Sequence, residues 1–137
     1  MAKVLIVDDE PIMLDLIEET LAGEGCQVKL ARDGDTALRW LREERFEVVL
    51  VDLKMPKVTG WELLEELEGD PDGPRAVVVS ARAGPDEVAK AFDLGAVDVV
   101  VKPFRPDDLS RLVAEVAALE GTEVAGHRKG ARARHHV

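Results

Sequence analysis

Short, almost wholly apolar runs alternate along the chain with longer stretches in which apolar residues recur every third or fourth position. The short runs are Lys3–Val7, Cys26–Ala31, Val48–Val51, Ala76–Val79 and Val97–Val101, most of them dominated by valine and isoleucine. β-Branched side chains crowd a helix but pack well on a pleated surface, so these runs predict strands. The first, third and fourth have almost no polar interruption, as expected of strands covered on both faces. The second sets Gln27 and Lys29 between Cys26, Val28 and Leu30. That alternation predicts an edge strand, partly exposed.

The longer stretches carry helical spacing. Ile12, Met13, Leu16, Ile17, Thr20 and Leu21 share a face, Glu18 and Glu19 lie opposite, and Gly23 and Gly25 end the pattern. Asp35 is placed to cap a second helix bearing Ala37, Leu38 and Leu41, and a third bears Trp61, Leu64 and Leu67 before Gly69-Asp70-Pro71. Pro85 suits the first turn of a fourth, through Val88, Phe92 and Leu94 to Gly95. Pro106 opens a fifth, with Leu109, Leu112, Val113, Val116 and Leu119 on its stripe. Trp40, Trp61, Phe46 and Phe92 read as packing residues within this scheme. Strands alternating with helices predict an α/β protein of (βα)5 type, a parallel sheet with helices on both faces. Residues 121–137 show no sustained apolar period and predict a flexible basic tail beyond a domain of residues 1–120.

Composition narrows the class. With 137 residues, 46% hydrophobic and 34% charged, the chain fits one soluble domain. No apolar run approaches the roughly 20 residues of a membrane span. Val4–Val7 is cut short by Asp8-Asp9-Glu10, too early for a signal peptide. Cys26 is the single cysteine, so no internal disulfide can form, and a cytoplasmic location follows as an expectation. The net charge of −10 is unevenly spread: Arg128, Lys129, Arg132 and Arg134 face only Glu123 in the last 17 residues. The remaining body is therefore strongly acidic and a poor surface for nucleic acid. The tail's His127, His135 and His136 offer metal ligands by composition alone, which predicts incidental binding only.

The polar residues at strand ends change the picture most. Asp8 and Asp9 follow the first strand, Asp52 ends the third, Ser80 the fourth and Lys102 the fifth. In a parallel sheet these ends share one edge, where open α/β folds bind ligands. For Asp8, Asp9 and Asp52 to meet, strands 1 and 3 must be neighbours, which gives the order 2-1-3-4-5, a flavodoxin-like three-layer sandwich. Three carboxylates in one crevice repel one another unless a cation lies between them. Donors restricted to oxygen favour Mg²⁺ or Mn²⁺. The Lys102 ammonium, the Ser80 hydroxyl and the next backbone N–H, that of Ala81, suit a phosphoryl group in transfer. A carboxylate is a competent nucleophile for it, giving an aspartyl phosphate.

The ordered motifs Val4-Leu5-Ile6-Val7-Asp8-Asp9-Glu10, Asp52-Leu53-Lys54-Met55-Pro56 with Gly60, Ser80-Ala81, Gly95-Ala96-Val97-Asp98 and Lys102-Pro103-Phe104 resemble bacterial two-component response-regulator receiver domains over about residues 2–120. The resemblance implies that Asp52 is the phosphoacceptor. Asp9 would bind Mg²⁺ directly, Asp8 mainly through water, with Asp52 and the Lys54 backbone carbonyl as further ligands. Lys102 would contact a phosphoryl oxygen, Ser80 and the Ala81 N–H would bind the phosphorylated form, and the Lys102-Pro103 bond would be cis. It implies a sensor histidine kinase or phosphotransfer protein as donor. The face of the fourth helix, fifth strand and fifth helix would bind an unspecified downstream protein or a second phosphorylated copy. Asp93, Asp98, Arg105, Asp107, Asp108 and Arg111 offer ion pairs there.

Two positions modulate these expectations. Val99 stands where the family usually carries an aromatic reporter, so readout is expected through Ala81–Pro85 and the fourth helix instead. Lys54 and Arg82 match positions that tune the lifetime of the aspartyl phosphate. Two other classes fit less well. A dehalogenase-like phosphohydrolase needs its two acids two residues apart, and a flavin module needs a phosphate loop where Asp8-Asp9-Glu10 stands. A single-domain regulator is the preferred organisation over a receiver excised from a longer protein.

Overall fold

The computed structural model describes residues 2–55, 58–70, 72–81 and 84–137. Its elements are β1 (Lys3–Val7), α1 (Pro11–Gly23), β2 (Gln27–Ala31), α2 (Gly34–Glu43), β3 (Val48–Val51) and α3 (Gly60–Leu67). Then follow β4 (Arg75–Ser80), α4 (Pro85–Asp93), β5 (Asp98–Val101), α5 (Pro106–Ala118), a 3₁₀ turn (Gly121–Glu123) and α6 (Val124–Arg134). The strands form one parallel sheet of order β2-β1-β3-β4-β5, as the shared acidic site requires. β2 is an edge strand and only partly buried, in keeping with its alternating sequence.

Successive strand side chains face opposite ways, which divides the core in two. Leu5, Val7, Val49, Val51 and Val78 face the layer that contains α2, α3 and α4. Val4, Ile6, Val48, Leu50, Val77 and Val79 face α1 and α5. Right-handed crossovers explain the division: the chain moves one way across the sheet after β1 and the other way after β2, which puts α1 and α2 on opposite faces. Phe92 is fully buried and Phe46 nearly so, while Trp40 is half-buried and donates Nε1–H to the Leu30 carbonyl at 3.0 Å. These aromatics pack, as their positions predict.

Two local expectations need correction. The cap of α2 is Asp33, not Asp35: its extended backbone lets the carboxylate accept from the Thr36 N–H at 2.8 Å. Asp35 lies inside the first turn, where a negative charge complements the helix dipole. The larger correction concerns residues 121–137, expected as a flexible tail. They form the 3₁₀ turn and α6, and α6 packs on β5 and α4 with Ala131 wholly buried. No amphipathic period announces this helix, because one small side chain, flanked by cations, makes its central apolar contact.

Candidate phosphoacceptor site

The switch between β1 and β3 opens a crevice at the C-terminal sheet edge, and both flanking strands end in acids. β1 leads into Asp8, β3 into Asp52, and the Asp52 N–H donates to the Val7 carbonyl at 2.9 Å. That bond extends the ladder past the assigned strands and fixes where the Asp52 side chain emerges. Asp8 and Asp52 are buried, at 2% and 6% exposure. Ligand oxygens of Asp8, Asp9, Glu10 and Asp52 all lie within 4.8 Å of one another. Glu10 is an addition to the residues expected from sequence. Its place in an unbroken acidic triplet was the available signal, since the turn into α1 swings it back over the crevice.

Lys102, after β5, supplies the opposing charge. Its Nζ donates to Asp8 Oδ2 at 2.8 Å and to Asp52 Oδ2 at 3.3 Å, and lies 3.6 Å from Glu10 Oε1. The Lys54 N–H donates to Asp52 Oδ1 at 3.2 Å, and the Glu10 N–H to Asp8 Oδ1 at 2.9 Å. Burial pushes the Asp52 carboxyl above its ordinary range; the Lys54 amide and Lys102 ammonium counter this incompletely, and Asp8 adds to the rise. Burial acts to lower the Lys102 pKa, but its bonds to Asp8 and the charges of Asp52 and Asp8 outweigh it, so the net direction is up. Lys102 thus stays charged among its acids.

Ser80, buried at the end of β4, is tied to this cluster by its carbonyl, which accepts from the Lys102 N–H at 2.9 Å. Ala81 follows it at the exposed rim. The Lys102-Pro103 bond is cis. Gly60, at the start of α3, packs against the backbone of Asp52 and Leu53. Pro56 and Arg82, together with part of the Ala81–Pro85 segment, lie outside the described residues. Val99 is buried at 3% exposure.

Residues 4–114 match the family profile of the response regulator receiver domain. The chain belongs to this family. Transcriptional regulatory protein KdpE of Mycobacterium tuberculosis is 40% identical over 117 residues, covering 85% of this chain and 51% of the relative. DNA-binding response regulator MtrA of Mycolicibacterium smegmatis is 35% identical over 116 residues, covering 85% and 49%. Among solved structures, a CheY-like response regulator receiver domain protein from Methanospirillum hungatei superposes with a TM-score of 0.80 at 28% identity, covering 95% of this receiver and 98% of that chain. This receiver spans about half the length of the curated relatives it matches. Among the described residues, no helix is long and apolar enough to cross a membrane.

Proposed function

We propose that Asp52 accepts a phosphoryl group from a sensor histidine kinase or phosphotransfer protein in a reaction that requires Mg²⁺ or Mn²⁺. The observation that carries this reading is the buried Asp52 carboxylate, one oxygen held by the Lys54 amide and the other by Lys102, inside a four-acid cluster. The donor set fits a hard divalent ion: all oxygen, with buried acids at the base and more open ones at the rim. Asp8, Asp9, Asp52 and the Lys54 carbonyl would hold it, and Glu10 now joins the candidates. Once bound, such an ion neutralises charge on the phosphoryl oxygens.

The chain's own residues do the rest. An Asp52 oxygen forms the new bond to phosphorus as the bond from phosphorus to the donor's imidazole nitrogen breaks and that nitrogen is left to take a proton. Lys102 meets a phosphoryl oxygen, and Ser80 with the Ala81 N–H binds another. The product changes what binds the α4–β5–α5 face, a downstream protein or a second phosphorylated copy. The site has no part in turnover of phosphomonoesters, and cytoplasmic signalling is its setting. Incubation with acetyl phosphate and Mg²⁺ tests the reading: a phosphoryl mass increment should map to the peptide containing Asp52. An increment on any other peptide would sink it.

Cation binding has a stability signature. Without a cation the raised pKa of Asp52 means that folding favours its protonated form, so its ionisation costs stability as pH rises through the folded pKa. At ten times its dissociation constant, Mg²⁺ stabilises the fold by about 1.4 kcal/mol, a rise in Tm of several degrees. Asp9→Asn should remove most of that rise in a calorimetric scan at pH 7. An equal rise in the variant would place the ion elsewhere.

Lys54 is exposed beside the acceptor. By sequence position it and Arg82 are the two cations expected to restrict the water that hydrolyses the aspartyl phosphate. Replacing both with Ala should change the decay rate severalfold, read by loss of the mass increment over time. An unchanged rate would reduce them to surface cations.

A further inference from the structure

β5 is the second edge strand of the sheet, and α6 packs against it. His135 Nε2 sits 2.9 Å from the Val99 carbonyl oxygen. Asp98, buried at 2% exposure, meets His127 Nε2 at 2.9 Å and Arg134 Nη2 at 3.0 Å, with His135 Nε2 3.9 Å away. Its other oxygen accepts from the Val99 N–H. Arg128 donates to the carbonyl of Phe92, in the last turn of α4, and to that of Ala96, in the segment between α4 and β5. Arg132 pairs with Asp93 at 3.2 Å and stands 5.5 Å from the centre of the Phe92 ring. Ala131 is fully buried in the same apolar cluster as Phe92, Ala91 and Val99. One helix thus supplies a small apolar contact at the centre of the α4–β5 face and cations around it.

The face suits such a guest, because Asp98 is buried with α6 in place and a buried carboxylate without a cation is costly. Its own acids, Asp93 and Asp98, have the wrong sign for nucleic acid or anionic lipid. The guest, in turn, is weakly made. Gly126 and Gly130 both sit within α6, and a Cβ on Gly126 would meet nothing within 4 Å, while on Gly130 it would meet only Arg134 Nη1 at 4.0 Å. No close contact requires either glycine, yet each weakens a helix about fivefold relative to alanine. An 11-residue helix of this composition does not persist alone. Docking is what holds it.

We propose that the α4–β5 face is a docking site for a basic helix, that α6 occupies it in cis, and that the protein partner of this face carries a helix of the same chemistry and binds by displacing α6. That chemistry is an arginine for the Phe92 and Ala96 carbonyls, a small residue beside Phe92, and an arginine or histidine for Asp98. The inference deepens the receiver reading by naming the partner's chemistry, and rests on it only for the regulated role of that partner.

The test uses a fluorescent peptide of residues 121–137 titrated into the full chain. Ala131→Asp in the chain unseats α6 and should tighten peptide binding at least about tenfold over the native chain. Gly126→Ala with Gly130→Ala strengthens the internal competitor and should weaken binding by about tenfold or more. A peptide carrying Ala131→Asp should bind neither. If Ala131→Asp does not fold, Arg128→Ala with Arg134→Ala serves as the opening variant. Equal peptide affinity across the folded chains overturns the proposal. So does a native dimer in which α6 sits on the second copy. Asp52 phosphorylation is measured on every chain: intact uptake with flat peptide binding sinks the docking site alone. Absent uptake with the expected order of affinities sinks the receiver reading alone.

Discussion

Asp52→Asn should reduce phosphoryl uptake from acetyl phosphate to background, a loss of at least about 10³-fold. The substitution conserves shape, so the Lys54 N–H keeps an acceptor and Lys102 keeps Asp8. What disappears is the nucleophilic oxygen pair. The neighbouring acids do not substitute for it. Asp8 is engaged by Lys102 and the Glu10 amide, and Asp9 and Glu10 lie further towards solvent. The same variant removes a carboxylate whose ionisation is disfavoured by burial and by Asp8. The cation-free protein should therefore keep its Tm, or gain slightly at pH values above the folded pKa of Asp52, where its ionisation carries a cost. Measuring uptake and melting on one preparation separates lost chemistry from lost fold. Uptake at the native rate would move the acceptor to another acid, and a collapsed Tm would make Asp52 structural.

The parts of this site differ in how far the sequence discloses them. Strand identity follows from β-branched runs, and the strand order follows from the demand that Asp8 and Asp52 meet, a constraint imposed by charge rather than by propensity. The five helices are marked by period and by Pro85 and Pro106, both at the first helical positions. Asp33 escapes because Asp33-Gly34-Asp35 offers two acids for one cap, and only the backbone angles choose between them. Glu10 escapes because its exposed side chain comes within 3.6 Å of Lys102 Nζ across the crevice, an approach that sequence spacing does not describe. The helix α6 is hidden for a different reason. Its stabilising partners are the Phe92 and Ala96 carbonyls and the Asp98 carboxylate, all about 30 or more positions away, and its own glycines argue against it. Local pattern reports amphipathic burial well and long-range polar docking poorly. The same distinction explains why Asp98, expected at an ion-pairing face, proves to be the buried centre of one.

Gly60→Ala should be a severely damaging single-methyl change, and one aimed at the acceptor segment itself. A Cβ there would lie 2.2 Å from the Asp52 carbonyl oxygen, 2.7 Å from Leu53 Cα and 2.9 Å from the Asp52 carbonyl carbon. All three are backbone atoms of the segment leaving β3, so no side-chain rotation relieves the contact. The glycine is required here by close approach and not by a left-handed backbone, since the positive-φ glycines are Gly25 and Gly95. Relief has to come from moving α3 or the Asp52–Leu53 backbone, and the expected cost is about 3 kcal/mol, the upper end of overpacking. Either movement reaches the acceptor. The Gly60 N–H bonds the Leu53 carbonyl at 3.3 Å, while Asp52 itself is registered on Val7. A displacement of about 1 Å at a reacting group costs up to about 10²-fold in rate. The expected result is thus a joint loss, a lower denaturation midpoint and slower Mg²⁺-dependent phosphorylation of the molecules that remain folded. Gly69→Ala is the matched control, because its Cβ meets nothing within 4 Å. It should change stability by less than about 0.5 kcal/mol. If Gly60→Ala melts and phosphorylates like Gly69→Ala, the backbone of Asp52 is not held by α3, and the rigidity attributed to the acceptor must come from β1 and Lys102 alone.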